Sequence, residues 1–154
     1  MPIATALKVR AANTADIPVI MALEKHAATA AHWSPEQYQE LLSNAQPRRV
    51  ALVLEEDNVI LGFLVARTAV DEWEIENVVV AGPARWRGLG TRLLGEFLGL
   101  AAQEGAQAVY LEVRESNLAA RALYEKWAFL EGGRRPRYYR SPEEDAILYR
   151  LHLL

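Results

Sequence analysis

The chain has 154 residues, 51% of them apolar and 24% charged, which is the composition of one folded domain spanning 1–154 rather than of a disordered chain. It contains no cysteine, so disulfides, thiolate metal sites and a cysteine nucleophile are excluded. A net charge of -3 argues against nucleic-acid binding, and the lack of a long apolar run or a recognisable signal peptide argues against a membrane partner. We therefore expect a cytoplasmic protein.

The first half of the chain predicts a strand, two helices and a hairpin. Residues 6–11 have the pattern of a strand, and apolar residues at helical spacing predict a first helix after Asn13 or Thr14. Ser34, with Gln37 three residues later, is typical of a capping box and predicts the start of a second helix. The hairpin consists of strands 49–55 and 59–70 around a turn at Asp57 and Asn58.

The second half predicts alternating strands and helices. A strand over 73–81 ends at Gly82-Pro83. The elements that follow are a helix at 88–103, a strand at 107–114, a helix at 117–127 and strands at about 133–139 and 146–153. The order β-α-α-β-β-β-α-β-α-β-β predicts an α/β fold in which helices flank a mixed central sheet.

An Arg- and Gly-rich turn joins the strand at 73–81 to the helix at 88–103. Backbone amides at a helix start are unpaired and carry partial positive charge, so they favour phosphate. Gly88 and Gly90 leave that backbone accessible, and Arg85 and Arg87 add positive charge. The third glycine of a dinucleotide fingerprint and the Gly-Lys-Ser/Thr ending of a P-loop are both missing. The turn is therefore either an unusual anion site or a glycine-rich connection without a ligand.

Acid–base chemistry is indicated by the strand at 107–114 and the helix after it. Strand alternation places Glu112 on one face with Tyr110 and Arg114, where it can take a proton from an ammonium group at a cleft. Tyr124, two turns into the next helix, can offer its hydroxyl as an acid, and Asn117 can bind a ligand. The structural alternatives are a solvated Glu112 or a Glu112–Arg114 pair, a core tyrosine and a helix N-cap.

Two motifs resemble those of the GNAT superfamily of N-acetyltransferases. The turn matches Arg/Gln-x-x-Gly-x-Gly/Ala from Arg85 to Gly90. The stretch from Leu111 to Phe129 matches Leu-Glu-Val-Arg-x-x-Asn-x-x-Ala-x-x-Leu-Tyr-x-x-x-Gly-Phe, except that Ala128 replaces the usual glycine. The second motif is most similar to that of the ribosomal-protein-alanine N-acetyltransferases, the RimI-like group. The resemblance covers nearly the whole chain.

The resemblance implies acetyl-CoA as cosubstrate, no metal, Glu112 as base and Tyr124 as acid. Glu74 and Glu76 are rival bases, because another GNAT branch uses a carboxylate on that strand. The resemblance assigns coenzyme A to backbone and side chains of Val78, Val79, Val80, Arg85, Trp86, Arg87, Gly88, Leu89, Gly90, Thr91 and Asn117. It assigns the acceptor to Trp33, Tyr138 and Tyr139.

The amino-acid sequence leaves more than one acceptor possible. The RimI-like resemblance implies the N-terminal α-amine of a protein such as a ribosomal protein, and the lack of cysteine implies direct transfer in a ternary complex. A small amine or amino acid is an alternative acceptor, and a non-catalytic acyl-CoA sensor is an alternative from another class. The arginines from Arg134 to Arg140 could meet an acidic substrate or could belong to a solvated hairpin. The oligomeric state stays open.

Overall fold

A computed structural model describes residues 6–26, 33–43, 48–84 and 87–153. Within these ranges the predicted order of strands and helices is confirmed, with ends that differ by a few residues. The strands are β1 (Leu7–Ala11), β2 (Arg49–Glu56), β3 (Val59–Ala69), β4 (Glu72–Val80), β5 (Ala108–Arg114), β6 (Leu130–Tyr139) and β7 (Glu144–His152). The helices are α1 (Ile17–Lys25), α2 (Pro35–Leu41), α3 (Leu89–Gln103) and α4 (Leu118–Lys126). None of the helices in these ranges is long and apolar enough to cross a membrane.

The strands form one mixed sheet in the order β1-β2-β3-β4-β5-β7-β6. Neighbouring strands are antiparallel except β4 and β5, which run parallel. A parallel pair needs a crossover connection, and here α3 provides it. The parallel pair therefore lies in the middle of the sheet, with a β-to-helix turn at the end of β4.

Helices cover both faces of the sheet and enclose two apolar cores. The larger core packs α3 and α4 against one face, with Phe97, Leu111 and Tyr149 fully buried. The smaller core packs α1 and α2 against the other face, with Ile20 and Phe63 buried. Successive side chains of a strand point alternately to these two cores. The core in which a side chain is buried therefore shows which face of the sheet it lies on.

Local signals in the sequence explain several boundaries. Asp57 and Asn58 both have positive φ, at 51° and 68°, as a two-residue type I′ hairpin turn requires. Ser34 accepts from the backbone N–H of Gln37 and completes the predicted capping box of α2. Ala128 adopts φ 69° after α4, where the family motif has glycine, at a cost of about 1 kcal/mol.

Candidate active site

The central feature of the site is an opening between β4 and β5. The two strands pair only from Glu72–Ile75 to Ala108–Leu111, whereas β4 stays paired with β3 as far as Val80. The register of β4 on β3 shifts where Ile75 faces Ala66 and Asn77 faces Val65, which leaves Glu76 as the extra residue of a β-bulge. Beyond Ile75, the β5 side of β4 consequently has no neighbouring strand.

The acidic side chains near this opening share the face that α1 and α2 cover. Glu74 is opposite Arg67 on β3 and opposite Tyr110 on β5, and residues directly opposite each other point to the same face. On β5, the residues that alternate with Tyr110 and Glu112 lie in the core under α3 and α4. The predicted shared face of Tyr110, Glu112 and Arg114 is thus confirmed.

Glu112 is the acidic residue with the strongest features of a base. Its side chain is 13% exposed and lies 3.1 Å from Arg135, a residue of β6 with a side chain that is 63% exposed. Burial raises the pKa of Glu112 and the charge of Glu74 raises it further, while Arg135 opposes the shift. The alternative pair between Glu112 and Arg114 is wrong, because Arg114 binds Glu144 at 3.1 Å.

The rival carboxylates are held in closer ion pairs. Glu74 accepts from Arg67 at 2.6 Å, and Glu76 accepts from Arg49 at 2.9 Å. Both arginines are neighbours on the same sheet face, since Arg49 is opposite Arg67 in the β2–β3 register. Both carboxylates thus lie closer to their arginines than Glu112 does to Arg135, which is itself 63% exposed. The geometry therefore favours Glu112 over Glu74 and Glu76.

Tyr124 lies on the other face of the sheet, in the core under α4. It is 5% exposed, and its ring centroid is 5.6 Å from that of Phe129 and 6.2 Å from that of Tyr149. Burial raises the pKa of its hydroxyl, and Tyr139 contributes to the shift. Tyr124 is therefore a core aromatic, as one reading of the sequence had it. Its phenol also remains protonated at neutral pH, as an acid requires.

The predicted acceptor residues occupy two separate segments. Tyr139 is half-buried beneath Arg114, 4.4 Å from the guanidinium carbon to the ring, and burial together with Glu112 raises its pKa to about 12. Tyr138, beside it, is 50% exposed. Trp33 precedes α2, and its backbone N–H donates to the buried carboxylate of Glu24. The structure therefore brings Tyr139 near Glu112, whereas Trp33 makes no contact with Glu112.

The start of α3 has the features of an anion site. Gly88 has φ 75°, and no side chain caps the helix. The first intrahelical hydrogen bond joins the N–H of Arg92 to the carbonyl of Gly88, so the amides of Leu89, Gly90 and Thr91 precede it without a helical partner. A Cβ at Gly90 would lie 3.4 Å from Leu123 of α4 and 3.9 Å from Val80 of β4. The helix start therefore adjoins the end of β4.

Other predicted cofactor residues have mixed outcomes. Arg87 donates to Glu56 at 2.6 Å, so its charge is already paired. Asn117 caps α4 by accepting from the N–H of Ala120 at 3.2 Å, which is the N-cap role that the sequence offered as an alternative. Val78 and Val80 face the α3 side and Val79 faces the α1 side, and along these residues the β5 edge of β4 has no neighbouring strand. Arg85 and Trp86 lie outside the described residues.

The arginines of the final hairpin are mostly paired within the hairpin and its surroundings. Arg134 contacts Glu115 and Asp145, each at 2.9 Å, and Arg137 lies 3.4 Å from Glu143. Because acidic neighbours already balance these charges, the cluster has the character of a solvated hairpin. In the described ranges, no group of three or more His, Asp or Glu side chains is placed to bind a metal ion.

Three residues near the site were not selected from the sequence. Arg135, the partner of Glu112, was only one member of an arginine cluster. Asn77 is a buried amide directly after the bulge, and its only sequence signal is a polar residue between Ile75 and the valines of β4. Glu24 is 2% exposed and could have been noticed because it follows Ile20 at helical spacing on the apolar side of α1.

Comparisons with known proteins show the family of the chain. The model of the acetyltransferase (GNAT) family matches residues 17–129. The chain belongs to the GNAT acetyltransferase family. It is an N-acetyltransferase by this membership and by its relatives, several of which are named ribosomal protein bS18-alanine N-acetyltransferase. The protein of Haemophilus influenzae is 36% identical over 126 residues, 80% of this chain and 86% of the relative. That of Salmonella typhimurium is 33% identical over 141 residues, 90% and 93% of the two chains.

A solved structure with the same fold is similar over nearly the whole chain. The crystal structure of the ribosomal-protein-S18-alanine N-acetyltransferase from Escherichia coli superposes with a TM-score of 0.85 at 28% identity. The match covers 96% of this chain and 94% of the other. The resemblance to the RimI-like group, first noticed in the motif from Leu111 to Phe129, is therefore confirmed at the level of sequence and of fold.

Proposed function

We propose that this N-acetyltransferase transfers the acetyl group of acetyl-CoA to the N-terminal α-amine of a protein, with a ribosomal protein as the leading candidate. The observation that carries the proposal is the desolvated carboxylate of Glu112 at the opening between β4 and β5, with the phenol of Tyr124 on the other face of the sheet. A base at the opening and an acid in the core on the other face of the sheet are the two groups that an acyl transfer needs.

The residues around the opening fit coenzyme A as the acetyl carrier. The free edge of β4 offers backbone donors and acceptors to an extended pantetheine arm, as an added strand would use them. The unpaired amides at the start of α3 fit a pyrophosphate, and Gly88 and Gly90 leave room beside them. Arg87 could exchange Glu56 for a phosphate, since this ion pair is exposed.

In the proposed reaction, the amine nitrogen forms a bond to the thioester carbonyl carbon and the carbon–sulfur bond breaks. Glu112 accepts the proton that the nitrogen loses, directly or through water. Tyr124 donates its hydroxyl proton to the leaving sulfur. The chain has no cysteine to carry the acetyl group, which supports direct transfer while both substrates are bound.

The choice of an N-terminal amine has two supports. An α-amine has a pKa of about 7.7–8.0, against roughly 10.4 for lysine, so its neutral form is far more abundant near pH 7 and one carboxylate is a sufficient base. The relatives named above are described as acting on an alanine of ribosomal protein bS18. Tyr138 and Tyr139 on the final hairpin and Trp33 before α2 are the side chains we expect to contact the peptide.

The deciding experiment is acetyl-CoA turnover, measured as free thiol release. The acceptors are peptides that begin with Ala, Ser, Thr or Met, including the N-terminal sequence of ribosomal protein bS18, with free amino acids and polyamines alongside. Turnover selective for peptides is the expected result. Turnover on small amines alone would contradict the proposed acceptor, and binding of acetyl-CoA without turnover of any acceptor would favour a sensor.

A further inference from the structure

Asn77 is a buried polar residue whose side-chain Nδ2 atom has no hydrogen-bond partner. It is 7% exposed, and its Nδ2 atom is inaccessible to water and has no partner. A buried amide donor without an acceptor is unfavourable by an amount equivalent to roughly a fivefold to hundredfold change in an equilibrium. Such a group in a folded protein calls for an explanation, and a ligand that supplies the missing acceptor is one.

The bulge determines where this amide lies. Pairing between β4 and β5 ends at Ile75 and Leu111, so Asn77 and Glu112 follow the last pair on the two strands and border the opening from opposite sides. Asn77 is opposite Val65, a residue of the core under α1 and α2. Its side chain therefore points to the same sheet face as Glu112.

The opening and the sheet face that Asn77 shares with Glu112 suggest what the amide binds. When Glu112 receives a proton from an α-amine, the carbonyl oxygen of the same acceptor residue is separated from that nitrogen by only two carbon atoms. A peptide carbonyl is a strong acceptor, and it matches a buried amide donor. Polyamines and other simple amines have no carbonyl at this position, so they would leave Asn77 unpaired.

We propose that Asn77 binds the carbonyl oxygen of the first residue of the acceptor through Nδ2 and thereby selects α-amines of peptides over simple amines. This proposal rests on the proposed function and refines its substrate class. A site that is built to hydrogen-bond one substrate group rejects analogues without that group, because the buried donor is then left unpaired.

The test compares two acceptors that differ at the first peptide bond. The first is a short peptide that begins with alanine, and the second is the same peptide with a trans-alkene in place of its first peptide bond. The key variant is Asn77→Leu, which keeps the side-chain shape and removes the amide. We expect kcat/KM for the peptide to fall by about tenfold to hundredfold and that for the alkene to change by less than about threefold.

Two further variants separate binding from folding. Asn77→Ala provides a second test if leucine disturbs the packing, with the same expected pattern. Tyr38→Phe is the matched control, because the Tyr38 hydroxyl is also buried without a partner in the core under α1 and α2. Thermal stability should not fall in Asn77→Leu or Tyr38→Phe, since each loses an unpartnered buried polar group, and Tyr38→Phe should leave both acceptors unaffected.

Each outcome has a defined meaning. A selective loss on the peptide in Asn77→Leu supports the proposal. An equal loss on peptide and alkene, or no loss on either, overturns it while the proposed function stands. If the wild-type protein turns over simple amines but no peptide, the proposed function fails first and the role of Asn77 fails with it.

Discussion

The two halves of the β4–β5 pair differ in how completely they satisfy their own polar groups. In the paired half, Glu72–Ile75 and Ala108–Leu111 share a ladder of hydrogen bonds, and Glu72 and Glu74 form ion pairs with Arg150 and Arg67. In the open half, the β4 edge lacks a strand neighbour on the β5 side, the Nδ2 atom of Asn77 lacks a hydrogen-bond partner, and burial raises the pKa of Glu112. Unsatisfied groups in an otherwise satisfied sheet mark the part that is reserved for ligands.

This comparison predicts that carboxylates of the two halves respond differently to the same substitution. Glu112→Gln keeps the shape and removes the base, so kcat should fall by about 10²–10⁴ in thiol release with an alanine peptide. Glu74→Gln is the matched control on the same sheet face and should lower kcat by less than about tenfold. Full activity in Glu112→Gln, or an equal loss in Glu74→Gln, would remove Glu112 as the base.

A second prediction concerns the tyrosines under α4. Tyr124→Phe keeps the ring in the core and removes the proposed proton donor, so kcat should fall by about 10². Tyr149→Phe is its control, because Tyr149 donates to Glu125 at 2.9 Å and serves the fold. The control should lose about 1 kcal/mol of unfolding free energy and little activity. The assignment fails if Tyr149→Phe is the less active of the two.

The sequence predicted the fold well because its signals are local. The Asp57-Asn58 turn and the capping box at Ser34 each depend on residues within four positions. The motif containing Glu112 and Tyr124 predicted both candidate residues. The pairing of Glu112 with Arg135 was not predictable, because it joins distant strands next to an irregularity in the β6–β7 register. The bulge that places Asn77 beside the opening likewise has no local signal.

A third prediction concerns Glu24 of α1, an unsatisfied carboxylate outside the β4–β5 pair, which we expect to affect stability rather than activity. Its Oε2 atom is buried without a partner, and burial raises its pKa to about 7. The native state therefore binds a proton more tightly than the unfolded chain, so the unfolding free energy should fall as pH rises from about 4.5 to 7. The total loss is about 3 kcal/mol.

Glu24→Gln mimics the protonated form and keeps an oxygen for the N–H of Trp33. The variant should lose little stability over this pH range, which urea unfolding at pH 5 and pH 8 would measure. Glu40→Gln on the exposed side of α2 is the control and should follow the wild type. The same pH dependence in Glu24→Gln would show that another group causes it.

The start of α3 allows a comparison within one helix. Gly90→Gln introduces a side chain between Val80 and Leu123, next to the proposed phosphate site, whereas Gly99→Gln enters open space. We expect the KM for acetyl-CoA to rise by about tenfold in Gly90→Gln, the equivalent of one weakened charge-assisted hydrogen bond. Gly99→Gln should leave that KM unchanged. Equal KM values for acetyl-CoA in the two variants would show that the start of α3 does not contribute to cofactor binding.

The smallest expected effect concerns the pH dependence of kcat, which the charges around Glu112 in the open half should control. Arg135 lowers the pKa of Glu112 and Glu74 raises it. Arg135→Gln should therefore move the acid limb of kcat to higher pH, and Glu74→Gln should move it to lower pH, each by up to about one unit. Arg137→Gln removes a cation of the same hairpin that pairs with Glu143 and should leave the limb in place. Opposite shifts in the two variants require a titrating group close to both charges, as Glu112 is. An acid limb that stays in place in both Arg135→Gln and Glu74→Gln would show that a group remote from these charges sets it.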